Sequence, residues 1–261
     1  MSWSDLLTTT KYLYFWGSLV GLGVFAILYS MRHDLRHRML RMGIAVGLAG
    51  IISEGVFFRD YWHPPELFRI GRFGGIEDFF FGIFFGGACV VLYDVVFHKR
   101  LKRKGYPHYW ITTLLVISEV LSVLILRNYM NSIYASAIGF LLPAMAIILI
   151  RRDLIAETLL SAFLGGSLLV MIEMLMLALF PNYIKQYYYL YGEVPLIFGV
   201  VPVTEFIWGA AFAAIVGPLR DFEFGYVPVS IKQKASQRQD KTVRRRSRPR
   251  RLEPAAGATK R

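Results

Sequence analysis

Seven apolar runs, each long enough to form a bilayer-crossing helix, constrain this chain more than any other feature. They fall at about residues 11–30, 42–58, 76–98, 109–127, 133–150, 157–180 and 200–219, against roughly 20 residues needed to traverse the hydrocarbon layer. In lipid the backbone must satisfy its own polar groups, so such runs read as helices. A chain of 261 residues that is 55% hydrophobic and 18% charged also has too little polar surface to coat soluble domains. The expectation is an all-α integral membrane protein with seven transmembrane helices, located in the cell membrane. The first run begins at Lys11 without a small-residue cleavage site behind a basic start, and reads as a retained helix, not a signal peptide.

Charge in the connections sets the expected orientation. Arg32, Arg36, Arg38 and Arg41, then Lys99 to Lys104, then Arg151 and Arg152 place eleven cations in one set of connections. The alternate set holds five: Arg59, Arg69, Arg72, Arg127 and Lys185. The imbalance predicts the N-terminus outside and the C-terminus cytoplasmic. From Arg220 onward the chain carries 13 Lys/Arg against four acids and is poor in apolar residues, so residues 220–261 read as a basic, disordered tail. Without aromatics between its arginines, that tail suits anionic headgroups and not nucleic acid.

One apolar run opens on an anomaly. Gly74-Gly75-Ile76-Glu77-Asp78-Phe79-Phe80-Phe81-Gly82 puts two adjacent acids at a helix mouth, where ionisable groups are expensive and mark a functional site. Its plan returns 127 residues later in Val201-Pro202-Val203-Thr204-Glu205-Phe206-Ile207-Trp208-Gly209, and Asp94 matches Asp221 at the same offset. At an offset of 119, Arg32-His33-Asp34-Leu35 matches Arg151-Arg152-Asp153-Leu154, and Glu54 matches Glu173. Helices one to three therefore repeat as five to seven. The expected divisions are residues 1–98 and 133–219 for the repeats and 99–132 for a linker with helix four. An odd linker helix makes the repeats parallel, related by an axis along the membrane normal. Glu77, Asp78, Glu205, Glu54 and Glu173 then gather on the outer side, whereas Asp94 and Asp221 fall at the inner headgroup level.

A carboxyl group in an apolar, water-poor place holds its proton more tightly and can act as an acid. Such an acid suits protonation of an apolar double bond, provided that aromatic faces stabilise the resulting cation. On a helix, Asp78 shares its face with Phe81 and Gly82, and Glu205 with Trp208 and Gly209. Phe79 and Phe206 follow the two acids directly.

The stretch from Trp62 through Pro65-Glu66, Gly71 and Glu77-Asp78 to Phe79-Phe80 resembles the membrane lycopene cyclase domain, in its heterodimeric bacterial type and the fused archaeal and fungal forms. The resemblance extends over both repeats, about residues 11 to 219. It implies cofactor-independent ring closure on lycopene or a related hydrophobic isoprenoid, with Glu77, Asp78, Glu205, Glu54 and Glu173 as catalytic candidates. Trp62, Phe81, Trp208, Phe79 and Phe206 are the substrate-binding candidates. Gly75 stands where the family has proline, and Thr204 where it has the first of the paired acids.

Other chemistries find less support. The five histidines lack ligand spacing on a shared face, so no metal is expected. No Asp-rich motif for Mg-diphosphate appears. Glu119 has no counterpart in the other repeat and reads as structural. A non-enzymatic membrane protein or proton-coupled transporter, and an enzyme acting on a shorter prenyl lipid, are the rival readings.

Overall fold

The computed structural model describes residues 10–70, 73–103 and 105–230; Arg72, Lys104 and the arginine-rich run at 244–251 lie outside them. After a 3-10 turn at Thr10–Tyr12 come helices α1 (Leu13–Met31), α2 (Arg36–Phe57), α3 (Ile76–Cys89) and α4 (Leu92–Val96). Strand β1 (Lys99–Arg103) leads to α5 (Tyr109–Leu126), α6 (Ser132–Ile150) and, past a 3-10 turn at Arg152–Leu154, α7 (Ile155–Leu179). Short α8 (Tyr183–Tyr187), β2 (Leu196–Ile197) and β3 (Val201–Pro202) precede α9 (Val203–Phe224) and β4 (Tyr226–Ser230).

Among the described residues, six helical stretches are long and apolar enough to cross a bilayer: 10–31, 36–57, 109–126, 132–150, 152–179 and 203–224. Their outer faces carry exposed apolar side chains such as Ile52, Leu114, Leu149 and Phe163, as expected where lipid replaces water. The run expected as one helix over 76–98 is instead two pieces. At Val91 the backbone tightens, its N–H reaching Ala88 O at 3.0 Å, and this three-residue spacing ends α3 before α4 starts. The expected start of the tail at residue 220 falls inside α9, which continues to Phe224 and stops where Gly225 takes a left-handed φ of 68°. Residues 226–230 then form β4 in place of disordered chain.

Helices pack at glycines. A Cβ on Gly82 of α3 would fall 2.5 Å from the Cα of Gly47 on α2. A Cβ on Gly47 would meet Phe79 O at 2.8 Å, and one on Gly166 of α7 would meet Phe206 O of α9, also at 2.8 Å. Small residues at such crossings let backbones touch, the main route to tight association where lipid removes the hydrophobic drive.

Two antiparallel contacts bracket the bundle. At one end, here the Arg38 end, β1 pairs with β4 in a register centred on Leu101 opposite Pro228. At the other, the Trp62 end, Trp62 bridges Tyr188, with His63 N–H donating to Tyr187 O at 3.1 Å and Tyr189 N–H to Tyr61 O at 3.0 Å. Between them Phe85 stacks on Phe212 at 5.2 Å.

The arginines that open the Arg38 end do more than form solvated pairs. Arg32 binds Asp34 through Nε and Nη2 at 2.9 Å each and donates to Asp94 O (2.7 Å) and Lys99 O (2.9 Å). Arg151 does the same with Asp153, Asp221 O (3.3 Å) and Tyr226 O (2.9 Å). Each closes the carbonyl end of α4 or α9 with a cation.

The glycine contacts set a clear contrast. Gly82→Ala should lower thermal stability in detergent by about 1–3 kcal/mol through overpacking. Gly23→Ala, where a Cβ meets nothing within 4 Å, should be neutral or better; equal losses at both sites would contradict the packing described.

Candidate functional site

The glycine contact between α2 and α3 brings Glu54, near the end of α2, beside Asp78, in the first turn of α3. The turn between them is pinned by Gly74 N–H, which donates to Ile51 O at 2.9 Å. Glu66 arrives from the connecting loop. One carboxylate oxygen from each of Glu54, Glu66 and Asp78 lies within 4.8 Å of the others. Glu54 is 6% exposed and Asp78 4%.

The partners of these acids differ. Asp78 Oδ2 accepts the N–H of Gly75 at 2.6 Å, which caps the helix, and Oδ1 accepts the hydroxyl of Tyr14 from α1. Glu54 Oε1 and Glu66 Oε1 are buried without a hydrogen-bond partner among the described residues. Glu66 Oε2 faces Arg69 Nε at 3.4 Å. Burial raises the Glu66 carboxyl above the usual range, against the pull of the Arg69 guanidinium. Glu77 points to the loop: its Oε1 accepts Leu67 N–H at 2.8 Å, and its Oε2 has no partner.

In the second half, Tyr188 donates to Glu173 Oε1 at 3.0 Å. Glu205 is 5% exposed and its Oε1 has no partner. Trp62 connects the two halves. Its ring meets Tyr14 at 6.1 Å and Tyr188 at 4.4 Å, so an aromatic chain runs from the partner of Asp78 to the partner of Glu173. Tyr188 is buried, whereas Tyr189 beside it is well exposed. Asp60, which precedes Trp62, accepts Ser132 Oγ at 2.5 Å and Ser132 N–H, anchoring the loop to the start of α6.

The aromatic candidates separate into three places. Trp208 is packed among Phe57, Phe85, Phe140 and Phe212, with centroid distances from 5.5 to 6.2 Å. Phe81 extends this stack through Phe85 at 5.6 Å. Phe79 and Phe206 instead seat on Gly47 and Gly166 in the helix seams. Trp62 alone of the five touches the tyrosines that serve the acids. A cavity of about 390 Å³ opens beside the helix of Glu173, between Met174, Leu177, Pro181, Ile184, Tyr191 and Val200.

Spacing within the motif gave no sign of Tyr14, which lies 64 residues before Asp78. It also missed a second charged cluster. Asp94 and Asp221, expected at headgroup level, are 1% and 0% exposed. Both meet Arg38, at 2.8 and 3.1 Å, and Arg38 also donates to Gly217 O at 3.2 Å. Glu157, 2% exposed, belongs to the same buried end. The offset of 119 sets Arg38 against Glu157, a charge reversal that could have flagged both.

No family model matches the chain, and neither a characterised protein nor a solved structure matches it.

Removing the hydroxyl that serves Asp78 tests this geometry. Tyr14→Phe should cost about 1–3 kcal/mol of stability by leaving a buried carboxylate oxygen short of a donor. Tyr129→Phe, at a residue 82% exposed, should stay within about 0.5 kcal/mol. Equal melting of Tyr14→Phe and wild type would contradict the hydrogen bond.

Proposed function

We propose that this chain is a cofactor-independent isomerase that closes end rings on an acyclic carotenoid such as lycopene, inside the membrane, with carboxyl groups as acid and base. The observation that carries the reading is the convergence of Glu54, Glu66 and Asp78 within 4.8 Å, next to Tyr14 and Trp62. Asp78 accepts hydrogen bonds on both oxygens, which suits a carboxylate. Glu54 Oε1 accepts none, which suits the oxygen that carries a proton.

The chemistry then divides between them. The Glu54 O–H delivers its proton to a terminal C=C, whose π electrons form the new C–H bond and leave a tertiary cation. The π electrons of a second double bond close the ring C–C bond and move the cation into the ring. Asp78 takes a proton from the adjacent carbon, and that C–H pair becomes the ring double bond. Substrate and product are isomers, and one proton enters as one leaves, so the balance needs no cofactor. The Trp62 face can stabilise the cation by about 2 kcal/mol when desolvated. Glu173 with Tyr188, and Glu205 with Trp208, are the counterparts in the second half, and the cavity beside Met174 supports an apolar approach to them.

The two-repeat architecture belongs to the same proposal, with α3 and α4 together as the third of seven crossings, the N-terminus outside and the C-terminus cytoplasmic. Its support is positional. Leu101 and Pro228, and Phe85 and Phe212, pair with their own counterparts at the 127 offset. Arg32 and Arg151, at the 119 offset, bind carbonyls that are themselves 127 apart. Self-pairing of this kind is what a two-fold axis through the bundle produces.

A second reading, a proton-coupled transporter or non-enzymatic membrane protein, draws on the buried carboxylates at both ends of the bundle. It calls for proton flux in reconstituted vesicles and no isomerised pigment.

Expression in a lycopene-accumulating host separates the two. The wild-type protein should yield cyclised pigment, and Glu54→Gln or Asp78→Asn at equal protein level should reduce it about 100-fold or more. Pigment that stays acyclic with well-expressed wild-type protein would sink the cyclase reading.

A further inference from the structure

We propose that Glu54, Glu66 and Asp78 form a binding site for a divalent cation, of the size and hardness of calcium, at the Trp62 end of the bundle. The three carboxylates come from three elements, the end of α2, the loop after it and the first turn of α3. Their nearest oxygens lie within 4.8 Å of one another. That span matches opposite ligands on one Ca²⁺, which takes oxygens at about 2.3–2.6 Å, and would need tightening for Mg²⁺ at about 2.0–2.1 Å.

An acidic cluster alone would not single out an ion, but the state of the oxygens does. Glu54 is 6% exposed, sits in the cluster, and has Oε1 buried with no hydrogen-bond partner. Glu66 Oε1 is likewise buried and unpartnered, because Arg69 faces the other oxygen. Each Asp78 oxygen accepts one hydrogen bond, from Tyr14 or Gly75, and keeps a lone pair for a metal. An unmet acceptor in a buried place costs free energy that a ligand recovers. Among the described residues the guanidinium in ion-pair reach of the three carboxylates is that of Arg69, on Glu66, so negative charge is in excess and a divalent cation would offset it.

The reason for expecting no metal was the spacing of the histidines, which does not bear on a site made of oxygen alone. Entry is from the loop side, where Phe68, Arg69 and Ile70 are exposed on the segment that follows Glu66. The inference is independent of ring closure: cation and protons are alternative ways to neutralise the same three groups.

Terbium provides the probe, since it takes calcium sites and emits when excited through a nearby indole or phenol, here Trp62 and Tyr14. Full-length protein in detergent, excited in the aromatic band, should show saturable Tb³⁺ emission that Ca²⁺ displaces. Glu54→Gln and Glu66→Gln should each abolish it while the melting curve shows a folded protein. Glu193→Gln, an exposed acid at the same end of the bundle, should retain it. Two variants guard against one failing to fold. Absence of saturable emission from wild type, or emission unchanged in whichever of the two variants folds, would overturn the proposal. Neither result touches the pigment assay, because no substrate is present.

Discussion

Backbone contact at glycine is the interaction on which the rest of this protein depends. Gly82 against Gly47, and Gly209 against Gly165 with Phe206 against Gly166, bring each acid-bearing helix against its neighbour. Lipid offers apolar surface as good as any side chain, so helix pairs there need close approach to gain from contact. The same approach carries Glu54 to Asp78. A larger residue at Gly47 or Gly82 would separate the helices and the carboxylates with them.

The two ends of the bundle solve the cost of buried charge differently. At the Arg38 end a guanidinium lies between Asp94 and Asp221, and a pair of this kind is costly to break because its members cannot regain water. Oxygens of Asp94, Glu157 and Asp221 also lack a hydrogen-bond partner there, but the Arg38 guanidinium sits among the acids and bridges two of them. At the Trp62 end Arg69 pairs with Glu66, and orphaned oxygens remain on Glu54, Glu66 and Glu77. The Arg69 guanidinium does not pair with Glu54 or Asp78, which keeps acceptors of the cluster available for a proton or an ion.

Much of the helical architecture was legible in the sequence, because a run of about 20 apolar residues has few alternatives in a bilayer. The duplicated spacing also singled out Glu54, Asp78, Glu173 and Glu205, of which Glu54, Asp78 and Glu205 are buried. What escaped were partners fixed by tertiary contact. Tyr14 reaches Asp78 across helices, and Tyr188, one of three successive tyrosines, turns inward to Glu173 while Tyr189 faces out. Asp94 and Asp221 looked like headgroup residues because Arg38, their counter-ion, lies more than 50 positions from the nearer of them. The break at Val90 and Val91, and the continuation of α9 through Pro218 to Phe224, depend on local hydrogen bonding that hydropathy does not register.

Acids from both halves flank one aromatic wall because the loop after α2 and the segment after α8 dock with Trp62 opposite Tyr188. Residues in such a non-hydrogen-bonded antiparallel pair have Cα atoms about 4.5 Å apart, within the range of a disulfide. The direct measurement is oxidation of a Trp62→Cys, Tyr188→Cys protein in which Cys89 is replaced by alanine. The account predicts near-complete intramolecular cross-linking, seen as loss of both free thiols in the folded protein. Thiols that stay free under oxidant, in a protein that still melts cooperatively, would contradict it.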